Sequence, residues 1–208
     1  MTPPSAPAHW AADVVLADGG AAHVRPIRPS DGPLLQALHA RLSPESIYLR
    51  FFSPRPRLSD EEVRHFTHVD HDARVALVVL LGDDLIAVGR YDRAPKSDAA
   101  EVAFVVDDAQ QGRGIATLLL EQLASAAQER GILRFTADVL PQNRAMLRVF
   151  HDAGFEATSR FEDGIVRVGF PVGRTPKALL AAAERERHAA ARSVARLLQP
   201  RGVGVVLE

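Results

Sequence analysis

The chain has 208 residues, 47% of them hydrophobic, and 25 basic against 26 acidic residues give a formal net charge of −1. That length and apolar content fit one domain with an appendage rather than a disordered chain, and the near-neutral charge argues against a protein that coats nucleic acid. The absence of Cys excludes disulfides, thiolate metal sites and cysteine nucleophiles together and fits a reducing, cytoplasmic setting.

No apolar run reaches the roughly 18 residues of a membrane span, and residues 1–7 lack the basic and apolar regions of a signal peptide. Residues 1–22 read as a flexible lead with a possible first strand. Residues 14–16 and 23–27 flank Asp18-Gly19-Gly20, a turn signal. Ser30-Asp31 then offers an N-cap to a helix carrying Leu34, Leu35, Leu38 and Leu42. Ser43-Pro44-Glu45 opens a second short helix through Phe51-Phe52. The acidic run Ser59-Asp60-Glu61-Glu62 opens a third, carrying Val63 and Phe66.

The texture then changes. Residues 74–81 form a buried-strand run, Gly82-Asp83-Asp84 a turn, and 85–91 the returning strand. Another strand spans 101–106, followed by a glycine-containing loop. A helix over 115–130 ends at Gly131. Residues 133–139 are a strand, 141–153 a helix stopped by Gly154, and 155–161 with 165–172 a last hairpin across Asp163-Gly164. Strand–helix–strand units beside hairpins predict an α/β (α+β) fold with a mixed parallel and antiparallel sheet of six to seven strands.

From residue 174 the chain is Ala-rich and basic, and a long helix is predicted to about residue 198. Residues 174–208 hold seven basic and three acidic residues, so this tail carries +4 and the remainder −5. Neutrality is an average over an acidic body and a basic linker.

Two segments carry chemistry. In the first, residues 101–117, a strand leads through Gln111-Gly112-Arg113-Gly114 into a helix. Such a loop gathers backbone N–H groups at the positive end of a helix dipole, which suits a pyrophosphate. Neither the dinucleotide fingerprint nor the P-loop is met, because residue 117 is Thr and no Gly-Lys-Ser/Thr occurs. The second segment runs from Asp138 through Asn143 and Phe150 to Gly154-Phe155.

Together these segments resemble the GCN5-related N-acetyltransferase (GNAT) family over residues 23–172. Gln111 to Ala116 is similar to that family's Arg/Gln-x-x-Gly-x-Gly/Ala acetyl-CoA loop, and Asn143 with Gly154-Phe155 to its Asn-(x)10-Gly-Phe segment. The resemblance implies two central parallel strands, 101–106 and 133–139, that splay apart around acyl-CoA. It further implies that Phe104, Val105 and Val106 flank the pantetheine arm, with backbone groups of Val105 and Val106 bonding it. Gln111, Gly112, Arg113, Gly114, Ile115, Ala116 and Thr117 would hold the pyrophosphate, and Asn143 and Phe150 would meet the CoA arm.

A finer likeness concerns residues 24–31 and 42–52, which resemble the GNAT domain of bacterial Pat-type protein lysine acetyltransferases. Residues 192–206 are similar to the start of the synthetase-like CoA-binding domain often joined to such enzymes. The expected organisation is therefore a lead (1–22), a GNAT domain (23–173) and a basic linker helix (174–208) running into a missing CoA-binding domain, with Leu207-Glu208 read as a cloning scar.

A lysine amine has a pKa near 10.4, so only about one in a thousand is neutral at pH 7.4, a handicap of roughly 4 kcal/mol. The resemblance puts the general base at Glu101, four residues before Val105, and its apolar neighbours predict a partly desolvated carboxylate. A backbone N–H, that of Val105, would polarise the thioester carbonyl. Many members place a Tyr acid where this chain has Phe150, so the acid is unassigned. The expected co-substrate is acetyl-CoA, and the expected partner a protein with a reactive lysine, an acyl-CoA synthetase. No metal, nucleic acid or membrane is expected. His65, His68 and His71 with Asp70 and Asp72 run off a helix end and read as a solvated surface. A small-molecule amine acetyltransferase and a CoA-sensing module without turnover stay open as alternatives.

Overall fold

A computed structural model describes residues 6–173 and 176–198. The final segment of the tail, 199–208, which includes Leu207-Glu208 and much of the stretch similar to a CoA-binding domain, lies outside the described residues.

An N-terminal hairpin, β1 (Ala12–Val15) and β2 (Ala21–Pro26), leads into three short helices, α1 (Gly32–Arg41), α2 (Pro44–Phe51) and α3 (Asp60–Thr67). The antiparallel run β3 (Arg74–Leu81), β4 (Asp84–Arg93) and β5 (Ala99–Val106) follows. Next come α4 (Ile115–Glu129), β6 (Arg134–Val139), α5 (Arg144–Asp152), the hairpin β7 (Thr158–Glu162) and β8 (Ile165–Pro171), and α6 (Pro176–Leu198). One sheet runs in the order β1-β2-β3-β4-β5-β6-β8-β7, and every neighbouring pair is antiparallel except β5–β6.

The sheet has eight strands where the sequence pattern predicts six to seven. The N-terminal hairpin supplies both of its strands, with Ala12 to Val15 paired against Val24 to Ala21. The stretch expected to be a flexible lead is also ordered where it is described. Trp10 is buried, its Nε1 donates to Glu129 Oε2 at 3.0 Å, and the Arg130 guanidinium lies 5.1 Å from its ring centroid.

Period-2 alternation divides the core between the two faces. Val75, Leu77 and Val79 of β3 point to the face covered by α4, where Leu119, Leu120 and Leu123 are fully buried. Ala76 and Val78 point to the other face, under Leu35, Leu38 and Leu42 from α1 and its C-terminal end and Ile47 of α2. Helix α3 forms because Ser59 Oγ accepts from the Glu62 N–H while Glu62 accepts from the Ser59 N–H, a capping box. The β7–β8 turn places Asp163 (φ 51°) and Gly164 (φ 80°) both at positive φ, the tight turn that Asp-Gly favours.

The segment between β2 and α1 is held by a buried ion pair. Arg25 donates to both Asp31 oxygens at 2.7 Å, and the Arg28 N–H adds a third bond to Asp31 at 2.8 Å. Among the described residues no helix is long and apolar enough to cross a membrane.

Candidate active site

Strands β5 and β6 share only three rungs, Ala99–Arg134, Ala100–Phe135 and Glu101–Thr136. Beyond them β5 stays with β4 as far as Val106, while β6 follows β8 to Val139. The facing edges of the two strands are thereby left without a strand partner, which is the fork that the sequence resemblance implies. Near that fork is a cavity of about 350 Å³, walled by Arg50, Phe51 and Phe52, residues 101–104 and 137–139, Asn143, Met146 and Phe150.

Four of the predicted site residues meet in this cavity: Glu101, Phe104, Asn143 and Phe150. Asn143 is there because it caps α5, its Oδ1 accepting from the Met146 N–H at 3.1 Å. Phe150 is fully buried, with its ring centroid 6.1 Å from Phe104 and 5.5 Å from Phe170. It offers no proton. Tyr48 is exposed, and Tyr91 is buried with its hydroxyl donating to the Asp72 carbonyl, so neither lines the cavity.

Glu101 departs from expectation. Its apolar neighbours in sequence predict partial desolvation, yet the residue is exposed. Those neighbours, Ala100 and Val102, point to the opposite face and into the core. Being on the last rung, Glu101 also has no further β6 residue beside it to cover it.

The loop after β5 forms a second part of the site. Gly112 and Gly114 both hold φ +76°, and a Cβ at Gly112 would meet nothing within 4 Å. Gly114 is the N-cap of α4 and no side chain caps that turn. The N–H groups of Ile115, Ala116 and Thr117 thus stand at an uncapped helix start. The Ile115 side chain is core, so only its backbone faces a ligand. Val105 and Val106 pack their side chains into opposite cores, and their main-chain groups also diverge. The Asp107 N–H donates to the Ile86 carbonyl at 2.9 Å, so in this register Val105, opposite Val88, turns its N–H to β4. Only Val106, with Phe104, presents main-chain groups to the fork, against the expectation for Val105.

Arg113 pairs within the protein. Its Nε and Nη2 reach Asp18 at 2.9 and 3.2 Å, and it also bonds Gln110. Bonding to Arg113 holds the Asp18 carboxyl below its ordinary range. Arg113 and Gly114 line a separate groove of about 590 Å³ shared with β1 and α6, apart from the Glu101 cavity.

Several residues that brace the loop escape sequence reading. Asp107 caps the turn after β5 and accepts from Arg41 Nε at 2.7 Å. Asp108 accepts from the Ser43 N–H at 2.6 Å, from the Ser46 hydroxyl and from Gln111 Nε2 at 2.9 Å. Burial alone would raise the Asp108 carboxyl, but its bonds to Ser46 and Ser43 hold it below its ordinary range. Two acids beside a glycine loop that leads into a helix start are the one sequence signal here. They are tolerated because both are spent on the α1–α2 junction.

The His65–His71 stretch is engaged only in part, since His71 Nδ1 is buried without a hydrogen-bond partner. Asp70 accepts from the N–H groups of Asp72 and Arg74, and His68 lies against the Arg64 carbonyl.

A mixed sheet whose one parallel pair parts beside a glycine loop at a helix start defines an N-acetyltransferase fold. Residues 41–155 match the acetyltransferase (GNAT) family, and the chain belongs to it. It is 35% identical over 135 residues to the acetyltransferase Pat of Mycolicibacterium smegmatis, covering 64% of this chain and 40% of that protein. The chain therefore spans less than half the length of that curated relative. Its structure superposes on the GNAT domain of S. lividans PAT with a TM-score of 0.77 at 51% identity, over 80% of this chain and 99% of that one. The structure of yncA from Salmonella typhimurium with its cofactor acetyl-CoA shares the fold, with a TM-score of 0.59 at 18% identity over 74% and 96% of the two chains.

Proposed function

We propose that the protein is an acetyl-CoA-dependent protein N-ε-lysine acetyltransferase, acting by direct transfer in a ternary complex on acyl-CoA synthetase-type enzymes. The observation that carries this reading is the position of Glu101 at the fork of β5 and β6, in one cavity with Asn143 and Phe150. Similarity to proteins named Pat supports the choice of a protein acceptor. The catalytic unit is residues 23–173, completed by the β1 strand, and α6 is the linker helix.

Bound acetyl-CoA supplies a thioester-activated acyl group. The main chain of Phe104 and Val106, on the open edge of β5, holds the pantetheine arm in the strand opening. Residues 111–117 receive the pyrophosphate, chiefly through the uncapped N–H groups of Ile115, Ala116 and Thr117. Asn143 has an amide Nδ2 to offer the arm, since its Oδ1 is spent on the helix cap. Glu101 takes the proton of the acceptor amine, directly or through one water, and a main-chain N–H on the fork edge of β5, where Phe104 and Val106 present theirs, polarises the carbonyl. The rings of Phe51, Phe52, Phe104 and Phe150 keep water from the reacting centre. Phe150 carries no acid, so the thiolate departs without help from that position. An alkyl thiol with a pKa near 8.5 tolerates this.

The test is labelled acetyl transfer to a panel of purified acyl-CoA synthetases, wild type beside Glu101→Gln. The chain holds only two lysines, Lys96 and Lys177, so self-labelling adds little background. Labelling of a synthetase lysine by the wild type and its loss in the variant are expected. Labelling of polyamines or aminoglycosides with no protein labelled overturns the reading.

A further inference from the structure

Beside the Glu101 cavity, on the face of the sheet covered by α1–α3, lies a small apolar slot of about 40 Å³. It is walled by Leu38, Phe51, Phe66 and Val88 together with two arginines, Arg50 of α2 and Arg90 of β4. Arg50 belongs to both cavities, so slot and Glu101 cavity adjoin at its side chain.

Neither arginine is fully satisfied. The Arg90 side chain is 7% exposed. Its Nε donates to Asp92 at 3.1 Å and its guanidinium lies 4.7 Å from the Phe66 ring centroid, but its Nη2 is buried without a hydrogen-bond partner. Arg50 makes no hydrogen bond or ion pair among the described residues and rests 5.0 Å from the Phe51 ring centroid. Asp92, the anion bonded to Arg90, is shared with Arg74 Nε at 2.9 Å. Burial, then the charge of Arg90, lowers the proton affinity of Arg50, which nevertheless stays charged at neutral pH.

The two adjoining cations have as nearby anions only Asp92, already shared with Arg74, and the charge of Glu101 on the cavity side of Arg50, and the buried Arg90 Nη2 is left without an acceptor. A guanidinium fork fits a carboxylate with two parallel bonds. A slot of this volume has room for about three water-sized centres, the heavy-atom count of a carboxylate group. Glu101 next door is placed to receive an amine.

We propose that Arg50 and Arg90 form a carboxylate subsite of the acceptor cavity, which takes an Asp or Glu side chain close to the target lysine. This rests on the reading of the site as a lysine acetyltransferase. The acceptor is thus selected by a pair of opposite charges, its amine at Glu101 and its carboxylate at Arg50. The same chemistry is offered by the carboxylate of a free amino acid, and the experiment separates the two sources.

Lysine peptides are made in matched pairs, with Glu or Gln at each of several spacings from the lysine. Binding is read by fluorescence anisotropy in the presence of CoA, and turnover by release of the CoA thiol from acetyl-CoA. Free lysine is compared with lysinamide in the same assays. Wild type, Arg50→Gln, Arg50→Lys and Arg90→Lys are used, with a cooperative thermal unfolding transition as the check that each variant is folded.

At one or more spacings the wild type should prefer Glu over Gln by about tenfold, the worth of one charge-assisted hydrogen bond. The ratio should fall to near one in Arg50→Gln and partway in Arg50→Lys and Arg90→Lys. A Glu-to-Gln ratio near one in binding at every spacing, with no preference for lysine over lysinamide, overturns the subsite. A preference for lysine over lysinamide that Arg50→Gln abolishes, with no peptide acetylated, keeps the subsite and overturns the protein-acceptor reading instead.

Discussion

Glu101 faces Thr136 across the last rung that β5 and β6 share, so the proposed base stands where the sheet opens. Glu101→Gln should lower kcat by about 10²- to 10⁴-fold, the usual worth of a positioned base. The KM for acetyl-CoA should stay within about threefold, because the loop that would hold the pyrophosphate lies elsewhere. Steady-state acetyl transfer over a range of pH checks both. A variant that turns over at the wild-type rate from pH 6 to 9 removes Glu101 from the chemistry.

Asp18 holds Arg113 from the other end of the chain, 95 residues away. Asp18 is partly exposed, so the pair contributes no more than about 1 kcal/mol. Asp18→Asn should therefore raise the KM for acetyl-CoA by up to about fivefold through a looser loop, with kcat little changed. Calorimetric titration with CoA reads the same loss directly.

The Arg25–Asp31 pair sets an acid limit on stability. Burial alone would raise the Asp31 carboxyl, but the bonds from Arg25 and from the Arg28 N–H outweigh it and hold it below its ordinary 3.8. A carboxyl depressed in the folded state adds stability above its unfolded-state pKa, and that increment is lost as pH falls through the folded value. Asp31→Asn should cost about 3 kcal/mol in urea denaturation at pH 7. The gap between wild type and variant should stay constant above about pH 5 and close only below about pH 4.

Gly89 of β4 sits beneath the cavity wall. A Cβ there would stand 3.0 Å from Phe104 Cδ1 and 3.1 Å from Leu123 Cδ1. Gly89→Ala should destabilise the fold by about 1–3 kcal/mol through overpacking. It should also raise the KM for acetyl-CoA, because Phe104 must move and Phe104 walls the site. Thermal denaturation with paired kinetics tests the two effects together.

What could be read in the sequence follows a physical division. Strand β3 declares itself by an unbroken apolar run and α4 by helical spacing ended at Gly131, because both patterns lie within a few residues. The fork residues Glu101, Phe104, Asn143 and Phe150 are reachable only through the family resemblance, which two local motifs carry; by itself Glu101 reads as a solvent-facing strand residue. The braces are not reachable: Arg41 meets Asp107 across 66 residues and Ser43 meets Asp108 across 65. No local pattern reports a pairing of that span. The exposure of Glu101 escapes its reading as a base for a related reason. A strand residue's neighbours in sequence lie on the opposite face, so their apolarity says nothing about its own surroundings. Arg50 and Arg90, on a helix and a strand forty residues apart, become a pair only once α2 is laid over β4.

Gly19, at φ +83° in the β1–β2 turn, has no room for a side chain. A Cβ there would stand 2.6 Å from the Ser193 nitrogen and 2.7 Å from the Arg192 carbonyl carbon, while Arg192 Nη1 donates to the Ala17 carbonyl at 2.9 Å. The neighbouring Ala17 N–H donates to the Arg113 carbonyl at 3.0 Å. Helix α6, the hairpin turn and the phosphate-side loop are thus stacked main chain on main chain. Where helix backbone meets turn backbone there is no room for even a Cβ, so displacing the helix by an ångström would shift the turn, and with it the loop that the turn holds through the Ala17 N–H and the Asp18 carboxylate.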